Sequence, residues 1–218
     1  MGSDWEYTLI FDLHQMSKSD LNVAILEIFF RHGFRLSYNP DSTIHVYSDG
    51  LREFETEADL LSFMSFHQGQ VTLWHISGAD VGLALGYEND VRIEHFSKNK
   101  HELTIYIDHT HYRLQDTSSQ NLARTIDSLF TDLISLLHAS YGFVRHEYAD
   151  YPEVNSIALY AITLLPKHML DEHPLDPLSE YIYRRKKIGD AELLYFSEFV
   201  WNASENLLQL VNNIWQKS

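Results

Sequence analysis

One pattern occurs twice in this chain, and it limits the folds open to it. Around Gly33 the sequence runs Arg31-His32-Gly33-Phe34-Arg35-Leu36-Ser37-Tyr38, and around Gly142 it runs Ser140-Tyr141-Gly142-Phe143-Val144-Arg145-His146-Glu147-Tyr148. Each copy closes an apolar run of helical spacing, and each run follows a segment of strand character. Glycine accepts the left-handed conformation in which many helices end. Both glycines are therefore expected to stop a helix and turn the chain into a returning strand. Such a chain is a single α+β domain over 1–218, built of two ferredoxin-like strand–helix–strand halves, 1–69 and 70–218, around antiparallel sheet.

The local signals fill in this outline. Trp5 to Leu13 is aromatic and β-branched, as a strand requires. Ser17-Lys18-Ser19-Asp20 offers N-cap side chains to a helix whose Leu21, Ala24, Ile25, Ile28 and Phe29 fall at helical spacing. Thr43–Tyr47 alternates and ends in an Asp49-Gly50 turn signal. Thr56 caps a second helix carrying Leu60, Leu61 and Met64. From Gln70 to Ile107 the chain reads as a meander with strands at 71–76, 81–86, 91–96 and 102–107. Ser119 is the expected cap of the clearest helix, on which Leu122, Ile126, Leu129, Phe130, Leu133, Leu136 and Leu137 form one stripe. Residues 157–165 suit either a strand or a buried helix, 193–201 a strand or short helix, and Glu205–Trp215 a closing helix.

Charge narrows the partners. The formal net charge is −15, with 15 acids and 7 bases in residues 1–100 and 16 acids and 9 bases in residues 101–218. Phosphate binding needs clustered Lys and Arg, so neither nucleic acid nor anionic lipid is an expected partner. A basic protein is, because long-range attraction speeds such encounters. The same acidity also serves solubility alone. Cysteine is absent, which removes disulfides, a thiol nucleophile and thiolate metal sites, and suits a reducing cytosol. The amino terminus has no basic stretch followed by an apolar core, and no apolar run approaches the roughly 20 residues that span a bilayer. A cytoplasmic protein is expected.

Few motifs carry chemistry. In Asp108-His109-Thr110-His111 a strand would aim His109 and His111 at one face, where two imidazoles can share a metal. The third ligand is unplaced; His101, His95 and Asp108 are nearest in sequence. The competing account is a polar strand end leading into the helix cap. His75-Ile76-Ser77 has the His-x-Ser form of two-histidine phosphoesterases, which pair two such motifs as acid and base. No second copy exists, because His109-Thr110-His111 and His45-Val46-Tyr47-Ser48 each misplace the hydroxyl by one position. No nucleophile elbow, phosphate loop or dinucleotide fingerprint occurs, and no cofactor is expected. Arg184-Arg185-Lys186-Lys187 is the one basic run, read as a surface helix end or strand edge. Glu53, Glu55, Glu57 and Asp59 alternate. Between Glu147 and Glu180 lie seven acids and one base, mixed with Tyr148, Tyr151 and Tyr160. Acids among tyrosines suit a surface that meets a basic partner, which makes Glu147, Tyr148, Asp150, Tyr151 and Glu153 the candidate partner-binding residues. A solvated rim is the competing account.

A meander, a strand at Leu103–Ile107, then a long amphipathic helix running to Tyr141-Gly142-Phe143 with acids close behind resembles the immunity proteins of bacterial polymorphic-toxin and contact-dependent systems. The resemblance covers residues 70–150. It implies a cytoplasmic inhibitor that binds one toxin and blocks it, and it brings no catalytic residues. The expected function is thus non-catalytic neutralisation of a toxin by covering its basic cleft. The alternative is a metal-dependent or two-histidine phosphoesterase-like hydrolase using His75, His109 and His111.

Overall fold

The structure, a computed structural model, describes residues 4–12, 17–39, 42–67, 69–86, 100–146 and 158–217. In chain order its elements are β1 (Asp4–Asp12), α1 (Lys18–Arg31), β2 (Phe34–Arg35), β3 (Ile44–Tyr47), β4 (Leu51–Phe54), α2 (Glu57–Met64), β5 (Gln70–His75), β6 (Asp80–Gly86) and β7 (Lys100–Asp108). They continue with α3 (Thr117–Leu137), β8 (Tyr141–His146), β9 (Ile162–Leu165), α4 (Lys167–Glu172), β10 (Arg184–Ile188), β11 (Ala191–Tyr195) and α5 (Glu205–Trp215). Short 3-10 turns occupy 109–111, 176–178 and 200–202. The class is α+β, as the sequence led us to expect.

Among the described residues all strands join one 11-stranded sheet in the order β10-β11-β9-β8-β1-β7-β6-β5-β3-β4, with β2 paired to β5 off this path. Every pairing is antiparallel. The sheet runs unbroken across the 69/70 position, where Tyr47 of β3 pairs with Gln70 of β5. β1 lies at its middle, flanked by β7 and β8, and six consecutive residues of it are buried. Burial on both faces is why its sequence is an almost continuous apolar run.

Alternation along the strands separates two cores. Tyr7, Leu9 and Phe11 of β1 point to the face covered by α1, α2 and α3, where Ile25, Phe29, Leu60, Ile126, Phe130 and Leu133 pack on Leu73, Leu83 and Ile105. Ile10 points to the other face and joins Tyr141, Phe143, Leu165 and Leu194 beneath Met169, Leu178, Val211 and Trp215. Each fully buried side chain of this size contributes roughly 1.5–3 kcal/mol relative to exposure. Among the described residues no helix is long and apolar enough to cross a membrane.

Capping chemistry sets the helix ends. Ser17 accepts from the Asp20 N–H at 3.1 Å, Thr56 from Asp59 at 3.2 Å and Ser204 from Leu207 at 3.2 Å. The cap of α3 is Asp116, which accepts from the Ser119 N–H at 2.9 Å. Ser119 itself sits in the first turn and donates to the His111 carbonyl at 2.8 Å.

The repeated glycines play different parts. Gly33 follows α1 at φ +82°, the expected helix stop. Gly142 does not: α3 ends earlier, at left-handed His138 (φ 47°), and Gly142 is the second residue of β8. Its requirement is space. A Cβ there would lie 2.6 Å from Leu9 Cδ2 and 3.0 Å from the Thr8 carbonyl oxygen.

Candidate functional site

The candidate histidines do not assemble as a strand would have placed them. The Asp108 carboxylate accepts from the Thr110 N–H at 2.8 Å and turns the chain into a 3-10 turn. His109 and His111 therefore leave the alternation that would have put them on one face. His109 Nδ1 lies 3.3 Å from its neighbour Asp108, whereas His111 Nε2 lies 3.0 Å from Asp80 Oδ1 on β6. The Asp80 hydrogen bond raises the His111 pKa above its ordinary value against the opposing effect of burial, and the charges of Asp80 and Asp108 add to it. Burial works against the Asp108 charge, but the Thr110 hydrogen bonds and both histidines hold its carboxyl below the usual range.

His75 ends β5 on the helix-covered side. Its ring tilts against Phe34 at 4.9 Å, and Nδ1 lies 2.7 Å from Ser77 Oγ. Burial lowers its pKa, with a hydrogen bond to the His32 backbone opposing. The His-x-Ser motif is thus a local brace in which Ser77 holds the ring. His101 is buried against Phe11, with ring centroids 5.8 Å apart. Among the described residues no three His, Asp or Glu side chains converge on a metal position. His95 and the candidate partner-binding residues Glu147, Tyr148, Asp150, Tyr151 and Glu153 lie outside the described residues, as does the expected strand at 91–96.

The structure adds a partly apolar cavity with charged groups on its wall that the sequence did not assemble. It measures about 180 Å³ and lies between α3 and the strands β9 and β11, with Tyr7, Ala123, Ile162 and Val200 as its apolar lining and Arg124, Asp127, Arg184 and Glu198 as its charged groups. Asp127 is its hub. One carboxylate oxygen accepts from the Tyr195 hydroxyl and the other from Arg184 Nη2 at 2.9 Å. The Arg184 guanidinium also covers the Tyr195 ring, 3.8 Å from its centroid. One turn on, Lys186 Nζ donates to Thr131 Oγ1 at 3.2 Å.

Beneath this network the Tyr7 and Tyr112 hydroxyls meet at 3.4 Å. Burial raises all three phenols; the Asp127 charge adds to the effect at Tyr195, and Tyr112 adds to it at Tyr7. Phenols raised in this way stay protonated near neutral pH and act as hydrogen-bond donors. The arrangement ties α3 to the end of the sheet and leaves a small, partly apolar recess beside it. The one sequence signal for it was Arg184-Arg185-Lys186-Lys187, which proves to be a strand edge. Arg184 is met by Asp127, Arg185 by Glu192 at 2.7 and 2.8 Å, and Lys186 by Thr131.

A second surface lies on the other face of the sheet. Tyr47 and Leu51 are directly opposed across β3 and β4, and His45 is opposed to Glu53 beside them. Tyr38 meets the Trp74 ring edge-on at 5.2 Å.

No protein-family model matches the sequence, and no curated protein sequence matches it. Among solved structures the fold is similar to that of the Pseudomonas aeruginosa T6SS protein PA0821, at TM-score 0.58 and 14% identity, covering 99% of this chain and 76% of that one. The likeness is one of fold.

Proposed function

We propose that this protein is a non-catalytic binding protein of the cytoplasm, an immunity protein that neutralises a cognate toxin by covering its basic cleft. The observation that carries the reading is the net charge of −15, spread over both halves of the chain, on a fold similar over 99% of its length to that of a T6SS protein. Such a surface attracts a cationic partner over distances comparable to the Debye length. No cofactor enters the mechanism, which is occlusion.

The test is a search of the neighbouring genes for a toxin domain and a pull-down with its product, followed by measurement of affinity from low to high salt. Binding that inhibits the toxin and weakens steeply with salt is expected. Salt-insensitive binding would overturn the electrostatic part, and absence of binding would overturn the whole reading.

A further inference from the structure

Among the described residues, the face of the sheet opposite α1, α2 and α3 is covered unevenly. The helices α4 and α5 and the 176–178 turn reach it through Ile10, Tyr141, Phe143, Leu165 and Leu194, all on β1, β8, β9 or β11. Toward the other end, the same face carries Trp74 of β5, Tyr47 of β3 and Leu51 of β4. The register requires this: Tyr47 opposes both Gln70 and Leu51, and Gln70, Thr72 and Trp74 alternate onto one side. Trp74 in turn supports the ring of Tyr38. Tyr38 is 57% exposed, Tyr47 53% and Leu51 52%. Large apolar side chains exposed singly are ordinary, but several on one strip mark an interaction surface. The strip runs four residues along β5, about 13 Å.

Charge selects the occupant. Residues 35–59 hold six acids and two bases. Glu53 stands on the same face, its carboxylate 3.5 Å from His45, and Asp49 is in the turn between Tyr47 and Leu51. A second copy of this chain would set one acidic rim against another. Tyrosine and tryptophan supply much of the binding energy at protein interfaces, with charged groups around them setting the choice of partner.

We infer that this patch docks a basic protein surface, with Tyr38, Tyr47, Leu51 and Trp74 as its apolar centre and Asp49 and Glu53 on the rim that meets lysines and arginines. The inference rests on the partner-binding function proposed above and assigns that function to one end of one sheet face. An ordinary interface takes about 800 Å² from each partner, so the strip is its centre and the surrounding acidic surface its periphery.

The probe is the toxin domain that the search of neighbouring genes yields, titrated against this protein and three variants. Tyr47→Ser combined with Leu51→Ser is expected to weaken binding at least about thirtyfold, as loss of interface anchors does, with an unchanged melting temperature. Glu53→Lys, a surface change that leaves the apolar strip intact, is expected to weaken it severalfold and to flatten its salt dependence. Leu114→Ser, at a side chain 77% exposed in another part of the chain, should bind as the wild type does. Wild-type affinity in both patch variants would overturn the assignment of this face while leaving the immunity function standing. Failure of the unmodified protein to bind the toxin would overturn both. A wild-type dimer that Tyr47→Ser with Leu51→Ser converts to a monomer would instead make the face a contact between copies, and that too overturns the proposal.

Discussion

Glu6 and Arg145 face each other across β1 and β8, their charged groups 2.5 Å apart with both side chains buried near the middle of the sheet. The pair lies on the second face, next to Thr8 and its hydroxyl partner Thr104. A buried ion pair recovers its desolvation cost only while both members are present. Glu6→Leu alone is expected to destabilise the fold by about 3 kcal/mol, because it leaves a buried guanidinium without this carboxylate. Glu6→Leu combined with Arg145→Met should cost less than the sum of the single changes. Denaturant unfolding of the four proteins in a double-mutant cycle measures the coupling, and strict additivity would show that the two groups do not act as a pair.

The two glycines of the repeated pattern give a comparison between two kinds of constraint. Gly33→Ala keeps a residue at φ +82° and brings a Cβ within 3.3 Å of His75 Nε2, a strain of about 1–2 kcal/mol. Gly142→Ala drives a methyl into Leu9 and the Thr8 carbonyl inside the sheet, and it is expected to cost about 2–3 kcal/mol with loss of β1–β8 order. Melting temperatures rank the pair, and amide exchange along β1 and β8 locates the damage. A milder effect at Gly142 than at Gly33 would contradict this account.

His111 and His75 should titrate on opposite sides of the ordinary imidazole value of 6.5. The folded protein favours protonated His111, so its contribution to stability is fully present below pH 6.5 and is lost as the pH rises through its higher folded value. It favours neutral His75, whose contribution is present above pH 6.5 and is lost as the pH falls through its lower folded value. Ring-proton NMR through the range 5 to 8 separates the two midpoints. Asp80→Asn should bring the His111 midpoint down while leaving His75 unmoved; an unchanged His111 would show that Asp80 is not its partner.

Asp127 should matter to stability well beyond an ordinary surface carboxylate. Asp127→Ala leaves the Tyr195 hydroxyl without its acceptor and releases Arg184, an expected loss of about 2 kcal/mol. Tyr195→Phe should cost about 1 kcal/mol. The double variant should fall short of the sum, since both changes break the same bond. Equilibrium unfolding checks each value.

Local features were legible in the sequence wherever a single side chain decides the outcome. Thr56 caps α2, Asp49-Gly50 joins β3 to β4, and Glu205–Trp215 is helical within the limits expected of it. The sequence failed where two local rules compete. His109-Thr110-His111 alternates like a strand, but Asp108 captures the Thr110 N–H and winds the segment into a 3-10 turn; short polar side chains divert backbone in this way. Ser119 looked like the cap of α3, but Asp116, three residues earlier, reaches its N–H first.

The candidate sites were hidden for another reason. Asp127 meets Tyr195, and Tyr38 meets Trp74, through pairings between strands and helices far apart in the chain. No periodicity within one segment reveals such partners. Tyr47 and Leu51 were individually visible, but only the order of strands shows that Trp74 shares their face.

The two ends of the sheet differ in their tendency to grow. β10 is the outermost strand at one end, and it carries Arg184, Arg185, Lys186 and Lys187 in succession. Arg184 and Arg185 are paired with Asp127 and Glu192, so two copies aligned there edge to edge would bring Lys186 and Lys187 of each together, which disfavours recruitment of another strand. β4, at the opposite end, reads Leu51-Arg52-Glu53-Phe54, with one charge of each sign and no such guard. The two margins therefore differ in their guard against strand addition: lysines stand at the β10 edge, and the β4 edge carries no such run of like charge.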